Sequence, residues 1–177
     1  MNKIVHLAGY SYLMNGIFKE IQYFRQWWLW LILLGIGIIP TLGIYKQFVL
    51  GETFGSHPMS NIGLLVFACI VYGFIGLFWC MRLRTEINSS GIHFEFLPFV
   101  RKSILWEHVE KAELIDYGFV GGWGIRWPTA YGTVYNVKGR KGLAIQLKTG
   151  KKMVIGTQKE KELLVFMEHF YSNTLNK

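Results

Sequence analysis

The chain has 177 residues and a formal charge of +8; 51% of its residues are hydrophobic and only 17% charged. An ordinary soluble domain carries about a quarter charged residues, so a wholly soluble globular protein is excluded. The two cysteines, Cys69 and Cys80, form neither a CxxC pair nor a disulfide framework and say nothing of redox compartment.

In chain order, residues 1–25 form an N-terminal segment whose end, NGIFKEIQYFRQWW, places Ile17, Ile21, Phe24 and Trp28 at helical spacing. That spacing predicts an amphipathic helix on a membrane surface. Residues 26–81 follow as a predicted two-helix transmembrane hairpin. Gln26–Tyr45 and Pro58–Met81 carry no charge, and about 20 apolar residues cross a hydrocarbon core of ~30 Å. The first stretch is too long, and lacks a small-x-small exit site, for a cleaved signal peptide. Pro40 removes a backbone donor inside it and predicts a kink. The glycines in both spans predict close helix approach, within the hairpin or between copies.

Lys3, Lys19 and Arg25 precede the hairpin and Arg82 and Arg84 follow it, whereas the connecting loop balances Lys46 against Glu52. The positive-inside rule therefore places both termini in the cytoplasm. Trp27, Trp28, Trp30 and Trp79 fit an aromatic belt on that same side. Neither span contains an ionisable residue, which argues against an ion or proton path.

From Arg82 the period becomes two. RLRTEI and IHFEF alternate as half-buried strands around the turn Asn88–Gly91; LPFVRK reads as a loop; SILW, KAELIDY, GTVYNV, LAIQLK and KKMVIGT read as further strands. Thr149-Gly150 supplies a hairpin turn. Thr157 and Glu160 fit a capping box, and Leu163, Phe166, Met167 and Phe170 share one face of the helix that follows. The expectation for residues 82–177 is an α+β domain, about seven antiparallel strands in two packed sheets closed by a C-terminal helix.

The segments FRQWWLW, GIHFEFLPFVRKSILWEHVEKAEL and GGWGIR…YNVKGRKGLAIQLKTGKKMVIGT resemble the bacterial pleckstrin-homology-like membrane proteins, over Phe24 to His169. The resemblance implies a two-helix anchor plus a PH-like domain in a bacterial inner membrane, and little about activity. Lipid-binding pleckstrin-homology domains read phosphoinositides with basic residues around the first strand-to-strand loop. The matching loop here, Asn88–Gly91, has none.

Gly121–Leu147 concentrates glycine, basic and aromatic residues, as phosphate cradles do. A strand rather than a helix follows Gly142, so a P-loop lacks its context and the glycines read as turns and bulges. The histidines lack metal-ligand spacing and the serines a Gly-x-Ser-x-Gly setting, so no catalytic residue, metal or cofactor is expected.

Charge and aromatics remain. From Arg82 onward there are 15 Lys and Arg against 9 Asp and Glu. Lys138, Arg140, Lys141, Lys151 and Lys152 are the candidates for contact with anionic lipid headgroups, while Trp123, Arg126 and Trp127 are the candidate partner-binding residues. A solvated strand edge and a core tryptophan are the structural alternatives. The function expected is a non-catalytic binding or positioning module at the inner membrane surface. Its partners would be a protein, a second copy or anionic lipid, and not nucleic acid, because the aromatics follow strand periodicity. The alternative is a small membrane-embedded enzyme acting on a lipid or lipid precursor.

Overall fold

The computed structural model describes the backbone of residues 16–175 and the side chains of residues 16–170. The first 15 residues of the N-terminal segment, including Lys3, lie outside the described residues. The chain divides into two compact units. One joins the described residues up to Tyr23 with those from Arg82 onward; the other is Phe24–Met81.

The first unit corrects the expectation for the N-terminal segment. Phe18–Tyr23 is a strand, β1, rather than an amphipathic helix. It pairs antiparallel with β2 (Arg82–Ile87), from Phe18 opposite Ile87 to Tyr23 opposite Arg82. Its side chains alternate: Phe18, Glu20 and Gln22 are buried and Lys19, Ile21 and Tyr23 exposed. The domain therefore does not begin at residue 82, because its first strand precedes the apolar stretches.

β3 (Gly91–Leu97) and β4 (Val100–Leu105) complete a four-stranded antiparallel sheet in the order β1-β2-β3-β4. The segment read as a loop, LPFVRK, is a tight turn that enters β4 at Val100. After a single 3-10 turn at Trp106–His108 the chain enters a five-stranded sheet of order β5-β8-β9-β7-β6. These strands are β5 (Val109–Asp116), β6 (Gly124–Thr129), β7 (Gly132–Asn136), β8 (Lys141–Leu147) and β9 (Lys152–Gly156). Nine strands thus replace the expected seven, β1 and β6 being the additions. The second sheet is mixed rather than antiparallel, because β7 runs parallel to β9. The hairpin at Thr149-Gly150 forms as expected, with Gly150 at φ +80° and its N–H donating to Leu147 O at 2.8 Å.

The core lies between the sheets and under a C-terminal helix, α3 (Glu160–Leu175). Leu83, Ile87, Ile92, Phe94 and Phe96 come from one sheet, Tyr135, Leu143, Ile145 and Ile155 from the other, and Leu163, Phe166 and Met167 from α3. The Phe94 and Tyr135 rings lie 4.9 Å apart, Phe166 reaches Phe18 at 6.1 Å, and Phe170 stacks on Trp106 at 4.7 Å. Burying each large apolar side chain is worth about 1.5–3 kcal/mol.

The second unit is a helical pair. Its helices are α1 (Trp27–Ile44), continued by a π-turn over Tyr45–Val49, and α2 (Asn61–Cys80). Both are long and apolar enough to cross a membrane by length and composition. Gly37 and Gly43 are packing positions within the pair. A Cβ on Gly37 would meet Ile75 at 3.2 Å, and one on Gly43 would meet Leu64 at 2.9 Å. Tyr72 hydrogen-bonds Thr41 at 2.7 Å on the exposed surface of the pair, tying α2 to α1. Trp30 and Trp79 meet edge to face at 5.5 Å.

Candidate functional site

The glycine-rich segment is built as strands and turns. Gly132 has φ +79° and passes so close to β9 that a Cβ would sit 2.1 Å from Lys152 O. Between β5 and β6 the chain loops over the outer face of the second sheet, where Val120 packs against Tyr117, Val134 and Val154. Asn136 Nδ2 donates to Tyr117 Oη at 3.2 Å and to Gly122 O at 3.4 Å, and the Tyr117 hydroxyl donates to Gly139 O at 3.4 Å. Burial pushes the Tyr117 phenol above its ordinary value, the Asn136 bond acting the other way. The hydroxyl therefore stays a neutral donor that holds the loop down.

The three candidate partner-binding residues separate into different roles. Arg126 lies opposite Val134 in the β6–β7 register. Its guanidinium rests against Gly122, where a Cβ would be 2.6 Å from Nη2. Its Nε is buried with no hydrogen-bond partner among the described residues. Arg126 thus supports the loop from beneath rather than projecting from it. Trp127 is 76% exposed on β6, an edge strand, and Trp123 is partly exposed. Phe119, which sequence reasoning missed, is 82% exposed in the same loop.

The five candidate basic residues do not form one cluster. Gly142 pairs with Gly156 and Gln146 with Lys152, so the Lys138–Lys141 turn and the Lys151–Lys152 turn occupy opposite ends of that ladder, about 13 Å apart at ~3.3 Å per residue. At the first end Lys141 binds Glu160 at 2.5 Å and Arg140 binds Asp116 at 3.3 Å. Lys138 is exposed with no ion-pair partner among the described residues. At the second end Lys152 borders a groove of about 310 Å³ that also involves Lys111, Glu113, Ile115, Tyr131 and Gln146. Lys111 binds Glu113 there at 2.7 Å, and Gln146 donates to Glu110 at 2.9 Å.

Two polar clusters were not anticipated. Glu20, 4% exposed, accepts the Thr157 hydroxyl at 2.6 Å and the Gln158 backbone N–H at 2.8 Å. Gln22 donates to Gly156 O at 2.7 Å and accepts from Gln158 Nε2 at 3.2 Å. In place of the expected Thr157–Glu160 capping box, the Thr157 N–H donates to Lys141 O at 2.9 Å, its hydroxyl accepts the Lys159 N–H at 3.0 Å, and Glu160 turns to Lys141. Burial raises the Glu20 carboxyl above its ordinary value, and the two hydrogen bonds and Lys159 oppose that rise. The second cluster lies on the outer face of the first sheet. Ser103 Oγ is 2.7 Å from His93 Nδ1, and Ser90 Oγ is 3.3 Å from Nε2.

Among the described residues no group of three or more His, Cys, Asp or Glu is placed to hold a metal ion. Compared with known proteins, the chain matches no family model, no curated protein and no solved structure.

Proposed function

We propose that the protein is a membrane-anchored binding module: a PH-like sheet domain held at the cytoplasmic face of a bacterial inner membrane by a two-helix hairpin. In this reading it docks a protein partner, a second copy of itself or anionic headgroups without catalysis. The observation that carries the reading is the β1–β2 pairing across the apolar stretches. One continuous domain is interrupted between two neighbouring strands by both helices, so β1 can pair with β2 only if both flanks lie on the same side of the bilayer. Two crossings satisfy that condition and one crossing would not. The basic residues flanking the hairpin favour the cytoplasmic side. The exposed Trp127 supports a docking role, since tryptophan is enriched at the energetic centres of interfaces.

The test is a benzophenone amino acid at Trp127 in the full chain, photolysed in native membranes, with Lys161 on exposed α3 as the control position. The expected result is a discrete adduct, to protein or to lipid, from position 127 alone. Equal labelling from both positions would remove the docking reading.

The second reading, an enzyme acting on a lipid, rests on the Ser103–His93 contact, a nucleophile beside a base. The pair lies on an exposed strand face, and the 310 Å³ groove shares no residue with it. Loss of lipid turnover in a Ser103→Ala variant would favour this reading.

A further inference from the structure

The two turns of the four-stranded sheet differ in chemistry according to the end they occupy. At one end Asn88, Ser89 and Ser90 join β2 to β3, and all three are polar, as turn residues usually are. At the other end Leu97, Pro98 and Phe99 join β3 to β4. That turn is closed by the Phe99 N–H donating to Phe96 O at 2.8 Å, and it leaves the Phe99 ring 56% exposed. A lone exposed aromatic is ordinary on a protein surface; this one is set apart by its position.

The register fixes that position. Leu97 is the ladder partner of Arg82, and Arg82 is also the partner of Tyr23. Tyr23 is the last residue of β1 before the chain departs for α1, and Arg82 is the first residue of β2 after it returns from α2. The Phe99 turn therefore lies at the end of the sheet that carries both covalent junctions to the apolar helices.

The junctions are short. Met81 alone separates Cys80, the last residue of α2, from Arg82, and three residues separate Tyr23 from Trp27. An extended residue spans at most about 3.6 Å, so Arg82 lies within ~7 Å of the end of α2. Leu97 lies about 5 Å from Arg82 across the ladder, and Phe99 is two residues further on. Headgroup layers add roughly 5–8 Å to each side of the hydrocarbon core. The tether and the ladder together bring the Phe99 turn within reach of that layer. Its surroundings suit an anionic interface. Arg82 is exposed with no ion-pair partner among the described residues, Arg101 is exposed and only loosely paired with Glu95 at 3.7 Å, and Tyr23 is partly exposed.

We infer that the Leu97–Phe99 turn is a bilayer contact, in which the Phe99 ring enters the headgroup region of the leaflet from which α1 and α2 depart, with Arg82 and Arg101 meeting anionic headgroups beside it. The inference rests on the reading that α1 and α2 cross the membrane. It makes the domain a body seated on the leaflet at a third point rather than one swinging on two linkers.

The test uses the full chain with Cys69 and Cys80 changed to Ala, reconstituted in phosphatidylcholine–phosphatidylglycerol vesicles containing lipids with a nitroxide near the headgroup. An environment-sensitive fluorophore is attached in turn at Phe99→Cys, Ser89→Cys and Ile70→Cys, the last with a nitroxide deep in the acyl chain. Labels at 99 and 70 should lose most of their fluorescence, while the label at 89 keeps its own. Quenching at 70 with none at 99 would overturn the seated turn and leave the spans intact; absence of quenching at 70 would overturn the spans and the inference with them. A label at Arg101→Cys, in a chain that retains Phe99, should also be quenched, and Phe99→Ser should abolish that quenching. Undiminished quenching in the Phe99→Ser chain would show that the ring is not the anchor.

Discussion

Glu20 joins β1, the strand that precedes the apolar helices, to the start of α3, the last element of the chain. In Glu20→Ala the Thr157 hydroxyl and the Gln158 N–H both lose their acceptor. Two hydrogen bonds to a charged group are worth about 1.5–3 kcal/mol each. Part of that is offset because the variant no longer buries a carboxylate, so the net loss is about 2–3 kcal/mol. For a domain of this size the midpoint should fall by about 10 °C.

Glu20→Gln keeps an acceptor for Gln158 and offers Thr157 a donor, so it should lose less than about 1 kcal/mol near pH 5. The pH dependence separates the two effects. Burial holds the Glu20 carboxyl above its ordinary value of 4.5, so the folded state binds that proton more tightly than the unfolded state. The resulting stabilisation is fully present below pH 4.5 and is lost as pH rises through the raised value. Thermal unfolding of the full chain in nanodiscs, scanned from pH 4 to pH 8, should therefore show the wild type losing ground to Glu20→Gln as pH increases. Parallel profiles, or a wild type that gains on the variant with rising pH, would refute the reasoning.

Other consequences are as direct. Gly132→Ala puts a Cβ 2.1 Å from Lys152 O at φ +79°, and should destabilise the sheet domain by about 3 kcal/mol or more in the same assay. Gly43→Val drives a side chain into Leu64 and Phe54, and should loosen the helical pair, read as faster proteolysis within residues 50–60. Because the basic turns occupy opposite ends of a ladder, charge reversal at Lys138 and Arg140 should not mimic reversal at Lys151 and Lys152. Hydrogen exchange in vesicles of rising anionic content should respond to one pair and not the other, and equal responses would contradict the separation of the two turns.

Much of the architecture was legible because its signals are local. The uncharged runs gave the two helices, strict alternation at Leu83–Thr85–Ile87 and Ile92–Phe94–Phe96 gave β2 and β3, and the 3–4 spacing of Leu163, Phe166 and Met167 gave the buried face of α3. β1 was hidden because its inward face carries Glu20 and Gln22, whose partners lie 134 to 138 residues away. With two of three inward positions polar, period two vanished and an accidental helical period remained. β6 was hidden by Gly124 and Pro128, and only the start of β4, where Arg101 and Lys102 are exposed on an edge strand, was read as a loop.

The candidate site was less legible, for a related reason. Lys141 and Lys152 are near in sequence, but a hairpin carries such residues to opposite ends of its strands. Arg126 sits between two tryptophans in sequence, yet its register opposite Val134 sends it beneath the loop. Phe99 and Phe119 carry no pattern at all, and their meaning comes from where the turns lie.

The central claim is that the sheet domain is one body interrupted by two membrane crossings. Sidedness measures it most directly. In the Cys69→Ala, Cys80→Ala chain, single cysteines at Ser56 in the helix-connecting loop, Lys19 on β1 and Lys151 on the β8–β9 turn are exposed to a membrane-impermeant maleimide in sealed, oriented vesicles. The account predicts that positions 19 and 151 label together from one side and position 56 only from the other. Labelling of 56 from the same side as 19 and 151, or of 19 and 151 from opposite sides, would contradict it.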